Sequence, residues 1–300
     1  MPDAAQDPLV HLSEAFAERT KLARPLVAGI AAQGHQRRSG TLWRKDVVVA
    51  SEQAFPDVAE ARVTLADGSS FAAHLAGRDP GTNVIAFRVD GTPEPAPLPA
   101  AEPHPGAFAL AFGADESGAS VRLGVMHAVG PAWHSRAGGR IDRRITLDIA
   151  LTRREEGGPV LDAAGGLLGI STLGPGGRVL VIPSTTVEGV IGPLLSKGRV
   201  ERGWLGLALQ PVVVPEALQS QAGQPRGLMI MGVSKDSPAA QANLQPGDIL
   251  LAIGGESVNS PNMVATRLGP ESVGQPIELR LIRAGGILAL NATVGTRPTG

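Results

Sequence analysis

Short apolar or alternating runs, separated by Gly, Asp and Pro, dominate most of this chain. PLVAGIAAQ, GTLWRKDVVVAS, ARVTLADGSSFAAHLAG and NVIAFRVD follow one another from residue 24, each with the texture of a β-strand or hairpin. Before them, residues 7–20 set Leu9, Val10, Leu12, Phe16 and Ala17 among charged positions, the spacing of one amphipathic helix. GTPEPAPLPAAEPHPG is rich in Pro and Ala and predicts an extended crossing segment. Strand-like runs then resume: AFALAFG, SVRLGVMHAVG, RRITLDIAL, GPVLDAAGGLLGISTLG and RVLVIPS. This is the pattern of closed all-β structure, two small barrels over residues 24–199 behind an N-terminal helical segment, residues 1–23. TTVEGVIGPLLSKG predicts the helix that ends this first domain.

Residues 203–297 read as a separate, smaller α+β domain. Strands dominate it, with short helices at 238–243 and 261–268. Pro246-Gly247-Asp248 makes a tight turn between Leu244 and the apolar run Ile249–Ile253.

Composition narrows the chemistry. Gly 39 and Pro 25 with only 3% aromatic residues fit many turns between short strands and argue against a helical bundle. Cys is absent, which removes disulfides, thiol catalysis and thiolate metal sites. A net charge of −1 gives no overall attraction to nucleic acid or an anionic membrane. No run is long enough to span a bilayer. Residues 1–30 have early acidic positions and no apolar core of signal-peptide length, so with Met1 as the start the protein is expected in the cytoplasm.

GWLGLAL, then SPAAQANLQPGDILLAIGGESV, then a helix and PIELRLIR make residues 203–297 resemble a PDZ domain of the kind attached to HtrA proteases. The resemblance implies that a peptide C-terminus adds as an extra strand. The backbone N–H groups of Leu205, Gly206 and Leu207 would hold its carboxylate, with Gly206 allowing close approach. Leu205, Leu207, Val264 and Leu268 would line the pocket for the last side chain, Val264 and Leu268 sharing a helix face. The alternative is that these side chains only fill the domain core.

Residues 24–198 resemble the trypsin-like domain of HtrA proteases, on LDIALTRREEGGPVLDAAGGLLGIS followed by RVLVIPS. The family's catalytic His follows a strand that here reads VVVASEQAF, which puts Gln53 at the His position. Its Asp lies in a stretch that here reads DPGTNVIA, with Asn83 in place of the Asp. Its Gly-Asn-Ser-Gly-Gly-Pro motif reads REEGGPV, with Glu156 at the serine and Arg154 at the first glycine. An amide side chain has no titratable nitrogen to take a proton, and a carboxylate opposes the forming oxyanion. The sequence therefore predicts a chain that is not an enzyme: a pseudoprotease scaffold, or assembly factor, that binds a protein or peptide partner.

The remaining chemistry is sparse. His11, His35, His74, His104, His127 and His134 have no metal-ligand spacing, and no metal or cofactor is expected. One alternative is a hydrolase with a relocated pair, His127 with Ser51 or Ser171; another is a purely structural subunit. Arg136, Arg140, Arg143, Arg144, Arg153 and Arg154 gather in one stretch, but Asp142 and Asp148 interrupt them and no aromatic residue is interleaved for base stacking. No nucleic-acid partner is expected. Glu155 and Glu156 beside Arg153 and Arg154 either pair across the cleft or form a solvated loop. The family resemblance implies a homo-oligomer, a trimer joined through N-terminal segments, with Phe16 the one obvious aromatic contact.

Overall fold

The computed structural model describes residues 7–34, 36–99, 101–115, 118–135 and 137–296. His35 and Arg136, named above, lie outside the described residues, as does position 297 at the end of the second domain. The chain divides into two units, Met1–Val200 and Glu201–Gly300.

The first unit opens with helix α1 (Pro8–Ala23), capped by Asp7, whose side chain accepts from the Leu9 amide. Most of α1 is exposed, including Leu9, Val10, Leu12 and Leu22. Phe16 packs edge-on against Phe108, with ring centroids 5.8 Å apart, so the aromatic expected at an oligomer contact is engaged with its own unit. Two closed barrels follow, as the alternating runs predict. The first comprises β1 (Val27–Ala31), β2 (Arg38–Arg44), β3 (Val47–Ser51), β4 (Glu60–Leu65), β5 (Ser70–Asp79) and β6 (Val84–Arg88), in the order β1-β2-β3-β6-β5-β4. The second uses β7 (Phe108–Asp115), β8 (Gly118–Gly130), β11 (Arg144–Leu147), β12 (Pro159–Asp162), β13 (Leu167–Leu173) and β14 (Val179–Pro183), with a small hairpin, β9 (Trp133–His134) and β10 (Arg140–Ile141), on the connection to β11.

Each barrel has its own apolar filling. Ile30, Leu42, Val48, Phe55 and Phe87 close the first, and Met126, Ile145, Val160 and Val181 the second. A third cluster joins them: Val49 and Val84 from the outer faces of β3 and β6 meet Ile170 and Ile182 from β13 and β14, beneath Val187, Ile191 and Leu194 of helix α2 (Ser184–Lys197). Residues at alternate strand positions face opposite ways, so β3 can serve the barrel core with Val48 and this seam with Val49. The seam fixes the end of β3 close to β13, where the candidate site lies.

The second unit is a sheet in the order β16-β17-β18-β20-β21, built from β16 (Leu207–Val213), β17 (Arg226–Val233), β18 (Ile249–Ile253), β20 (Pro276–Arg283) and β21 (Gly286–Thr293). Strand β19 (Glu256–Ser257) pairs with β18, and β15 (Gly203–Trp204) pairs with β22 (Gly295–Thr296). Helices α3 (Glu216–Ala222), α4 (Pro238–Gln241) and α5 (Pro261–Arg267) complete it. Helix α3 is not predicted by the pattern: EALQSQA has no apolar face of its own length, and it forms between Pro215 and Gly223, which caps it in the left-handed region with φ 73°. Among the described residues no helix is long and apolar enough to cross a membrane.

Candidate functional site

Gln53, Asn83 and Glu156 are far apart in sequence and meet at one place. Ser51 ends β3, and the chain then turns through Glu52–Ala54, which carries Gln53 out of the strand. Asn83 is delivered by the turn between β5 and β6. There the buried Asp79 carboxylate accepts from the Gly81 and Thr82 amides at 3.1 Å each and from the Thr82 hydroxyl at 2.7 Å. That turn requires a left-handed residue at its end, which Asn tolerates; Asn83 has φ 58°. Asn83 Oδ1 in turn accepts from the Gln53 amide at 2.8 Å, tying the two turns together.

Glu156 completes the group from the segment before β12. Its Oε1 accepts from Gln53 Nε2 at 2.5 Å, Ser51 Oγ at 2.9 Å, Thr172 Oγ1 at 3.0 Å and the Leu173 amide at 3.2 Å. Asn83 Nδ2 donates to Thr172 Oγ1 at 2.9 Å and to Ser51 Oγ at 3.1 Å. Glu156 is 5% exposed, Ser51 fully buried and Gln53 at the surface. Thr172, which no sequence motif singles out, is the hub that joins both amides to the carboxylate. Its only signal is position, an inward polar residue within the apolar run of β13.

The two glycines after Glu156 are structural. Gly157 has φ 97°, and a Cβ there would sit 2.4 Å from the Ser39 carbonyl oxygen; a Cβ on Gly158 would lie 1.9 Å from that of Phe112. The motif EEGGP is thus read by backbone closeness between β2, β7 and the loop.

Glu155 does not pair with Arg153 or Arg154. It takes a two-pronged contact from Arg122 of β8, Nε at 2.8 Å and Nη2 at 3.2 Å, and accepts from the Thr152 amide and hydroxyl at 2.8 and 2.9 Å. Burial acts to raise the Glu155 carboxyl, but Arg122 and Thr152 outweigh it and hold the group below its ordinary value. Nearby, burial pushes Glu52 the other way, above its ordinary value, against the opposing charge of Arg78. Arg154 is exposed, and its carbonyl accepts from Ser39 Oγ at 2.6 Å.

The relocated pair does not assemble. Ser171 is fully buried and donates to the Glu155 carbonyl at 3.2 Å, while His127 lies at an exposed position of β8. Among the described residues no hydrogen bond joins His127 to Ser51 or Ser171.

In the second unit, β16 ends the sheet: it pairs with β17 along Leu207–Val213 and has no strand on its other edge among the described residues, while α5 packs against it. Leu205, Val264 and Leu268 all belong to the apolar core, at 2, 7 and 7% exposure, and Leu207 packs against it. Gly206 has φ 82°, and a Cβ there would meet Ser237 Cβ at 2.3 Å. The need for glycine at 206 therefore arises within the fold itself.

Residues 38–170 match the family described as the trypsin-like peptidase domain, and residues 203–294 the PDZ domain. A probable periplasmic serine endoprotease DegP-like of Brucella suis biovar 1 (strain 1330) is 29% identical over 292 residues, covering 88% of this chain and 54% of that protein. The protein of the same name from Halomonas elongata is 27% identical, covering 94% of this chain and 62% of its own length. The chain spans about half the length of the curated relatives it matches. Among solved structures, the HtrA-type protease AlgW with tripeptide matches at TM-score 0.75 and 27% identity, covering 95% of this chain and 98% of that one. The serine endoprotease from Yersinia pestis matches at TM-score 0.76 and 24% identity, covering 94% and 98%.

These matches correct two expectations. The prediction that the chain is not an enzyme is overturned: the relatives and solved structures are named as serine endoproteases and HtrA-type proteases. The cytoplasmic location is overturned as well. The relatives are named periplasmic, which points to export, whereas the missing signal-like run in residues 1–30 was only an absence. The chain is a trypsin-like double barrel followed by a PDZ domain, an arrangement similar to that of those HtrA-type and DegP-like proteases.

Proposed function

From that HtrA/DegP arrangement, we propose that this chain captures protein partners by their C-termini, the terminal segment adding to β16 as a further strand. The observation that carries this reading is the open edge of β16 with α5 beside it. Main-chain groups along such an edge supply affinity, and alternate side chains entering pockets supply specificity. The amides of Leu205, Gly206 and Leu207 are assigned to the terminal carboxylate, and Leu207, Val264 and Leu268 to the last side chain. That an HtrA-type protease with the same two-domain course was solved with a tripeptide supports a peptide as the ligand class.

In the first unit, Gln53, Asn83 and Glu156 are assigned to the family's triad positions and Arg154 to its first glycine. The cleft at that point is where the middle of a bound polypeptide would run. Capture is therefore read apart from hydrolysis, with the peptide quantified as intact or cleaved by mass spectrometry.

The test uses the full chain and a C-terminal peptide library, each peptide made as the free acid and as the amide. Strand addition with carboxylate recognition predicts at least a roughly tenfold loss of affinity on amidation. Leu268→Ala should shift the preferred last residue toward a larger side chain. Equal binding of acid and amide forms would overturn the assignment.

A further inference from the structure

Beside the Glu156 cluster lies a pocket of about 380 Å³, lined by Arg37, Arg122, Arg154 and Glu155 among others. Its charges are not balanced. Glu155 is committed to Arg122 and Thr152, so that pair cancels within the wall. Asp115, the remaining carboxylate of the lining, has a partner of its own. The side chains of Arg37 and Arg154 have no hydrogen bond or ion pair among the described residues, which leaves two arginines in the lining of one concavity without a charge partner.

The fold also reserves space for Arg37 and for Glu155. The guanidinium of Arg37 lies over Gly29, where a Cβ would meet Nη2 at 2.3 Å and Nε at 2.4 Å. Glu155 is seated in the same manner on Gly113, where a Cβ would meet its Cγ at 2.7 Å. A glycine beneath each charged group means that their positions are set by β1 and β7, not by solvent.

We propose that this pocket is a subsite for the carboxylate of an Asp or Glu side chain in a bound polypeptide, held between Arg37 and Arg154. A guanidinium fork matches a carboxylate in shape and charge. Asp115 and Glu155 in the same wall disfavour a doubly charged group such as a phosphate, which selects a single negative charge. The pocket sits one residue from Glu156, so the acidic side chain would belong to the stretch of chain crossing the first unit. This inference rests on the polypeptide reading above but not on the β16 groove.

The experiment is fluorescence anisotropy on the full chain with a labelled peptide carrying one Glu and an amidated C-terminus, against its Gln twin. The Glu peptide should bind about tenfold tighter, and raising salt should erode the preference. Arg37→Gln/Arg154→Gln should bring the two peptides level without changing the melting temperature. Gly29→Ala, which displaces the Arg37 guanidinium without removing it, should weaken the preference. Equal binding of the Glu and Gln peptides to the native chain, or a preference that survives the double variant, would overturn the subsite. A phosphoserine twin that outcompetes the Glu peptide would overturn the single-charge selection. Free-acid peptides measured on the double variant report the β16 groove alone, so failure of one site is distinguishable from failure of the other.

Discussion

Gln53 donates its side-chain amide to Glu156 Oε1 at 2.5 Å, joining two positions 103 residues apart in the chain. Four donors converge on that one oxygen, from Gln53, Ser51, Thr172 and Leu173. Through Glu156, which precedes β12, the cluster ties the end of β3 to the end of β13. Its contribution should be visible in stability.

Glu156→Ala removes the common acceptor: Ser51 and Gln53 keep their contacts to Thr172, and Gln53 its bond to the Leu173 carbonyl, whereas the Leu173 amide loses its acceptor, a loss of about 2 kcal/mol. Glu156→Gln keeps an oxygen in the same place and should lose less than about 1 kcal/mol. Urea denaturation of both variants checks the difference. Equal losses would mean that charge, not the shared acceptor, sets the effect.

The Arg122–Glu155 pair predicts a pH dependence. A carboxyl held below its ordinary value contributes stability above pH 4.5, lost as pH falls through the lower folded value. In Arg122→Gln the largest of the influences that lower the group is gone, so it should titrate higher than in the native chain. The native chain's advantage over the variant should be full above about pH 4.5 and shrink as pH falls from there toward 3. Denaturation midpoints across that range provide the test.

Within the second unit, Arg283 grips the buried Asp248 carboxylate through Nε at 2.8 Å and Nη2 at 2.7 Å, while the Gln245 amide adds a third bond at 2.8 Å. This fixes the tight turn at Gly247. Asp248→Ala leaves a guanidinium without its partner and should destabilise the unit by about 3 kcal/mol. Differential scanning calorimetry of the variant reads the shift.

Glycines of one chain should respond in opposite directions. At Gly157 the positive φ and the nearby Ser39 carbonyl make Ala costly, by about 2 kcal/mol or more. Gly189 lies in α2, where an added methyl group would meet no neighbouring atom within 4 Å, so Gly189→Ala should stabilise by about 0.5–1 kcal/mol. Thermal melts of the pair provide the comparison.

Alternation of apolar positions made the barrels legible, because a strand half-buried in a barrel wall must write its two faces into its sequence. Motif order likewise revealed the small second domain, although α3 escaped notice because seven residues held by flanking Pro and Gly leave no periodic signature. Gln53, Asn83 and Glu156 were singled out through a resemblance in DPGTNVIA and REEGGPV, and the hydrogen bonds among them and Thr172 are what the structure adds. Partnership was not legible. That Glu155 would choose Arg122 over its neighbours Arg153 and Arg154, and that Thr172 would bridge two amides and a carboxylate, depends on which strand faces which across a closed barrel. Residue order fixes periodicity along one strand. Only the closed barrels decide which side chains, remote in sequence, come within hydrogen-bonding distance, because burial demands a partner but does not name it.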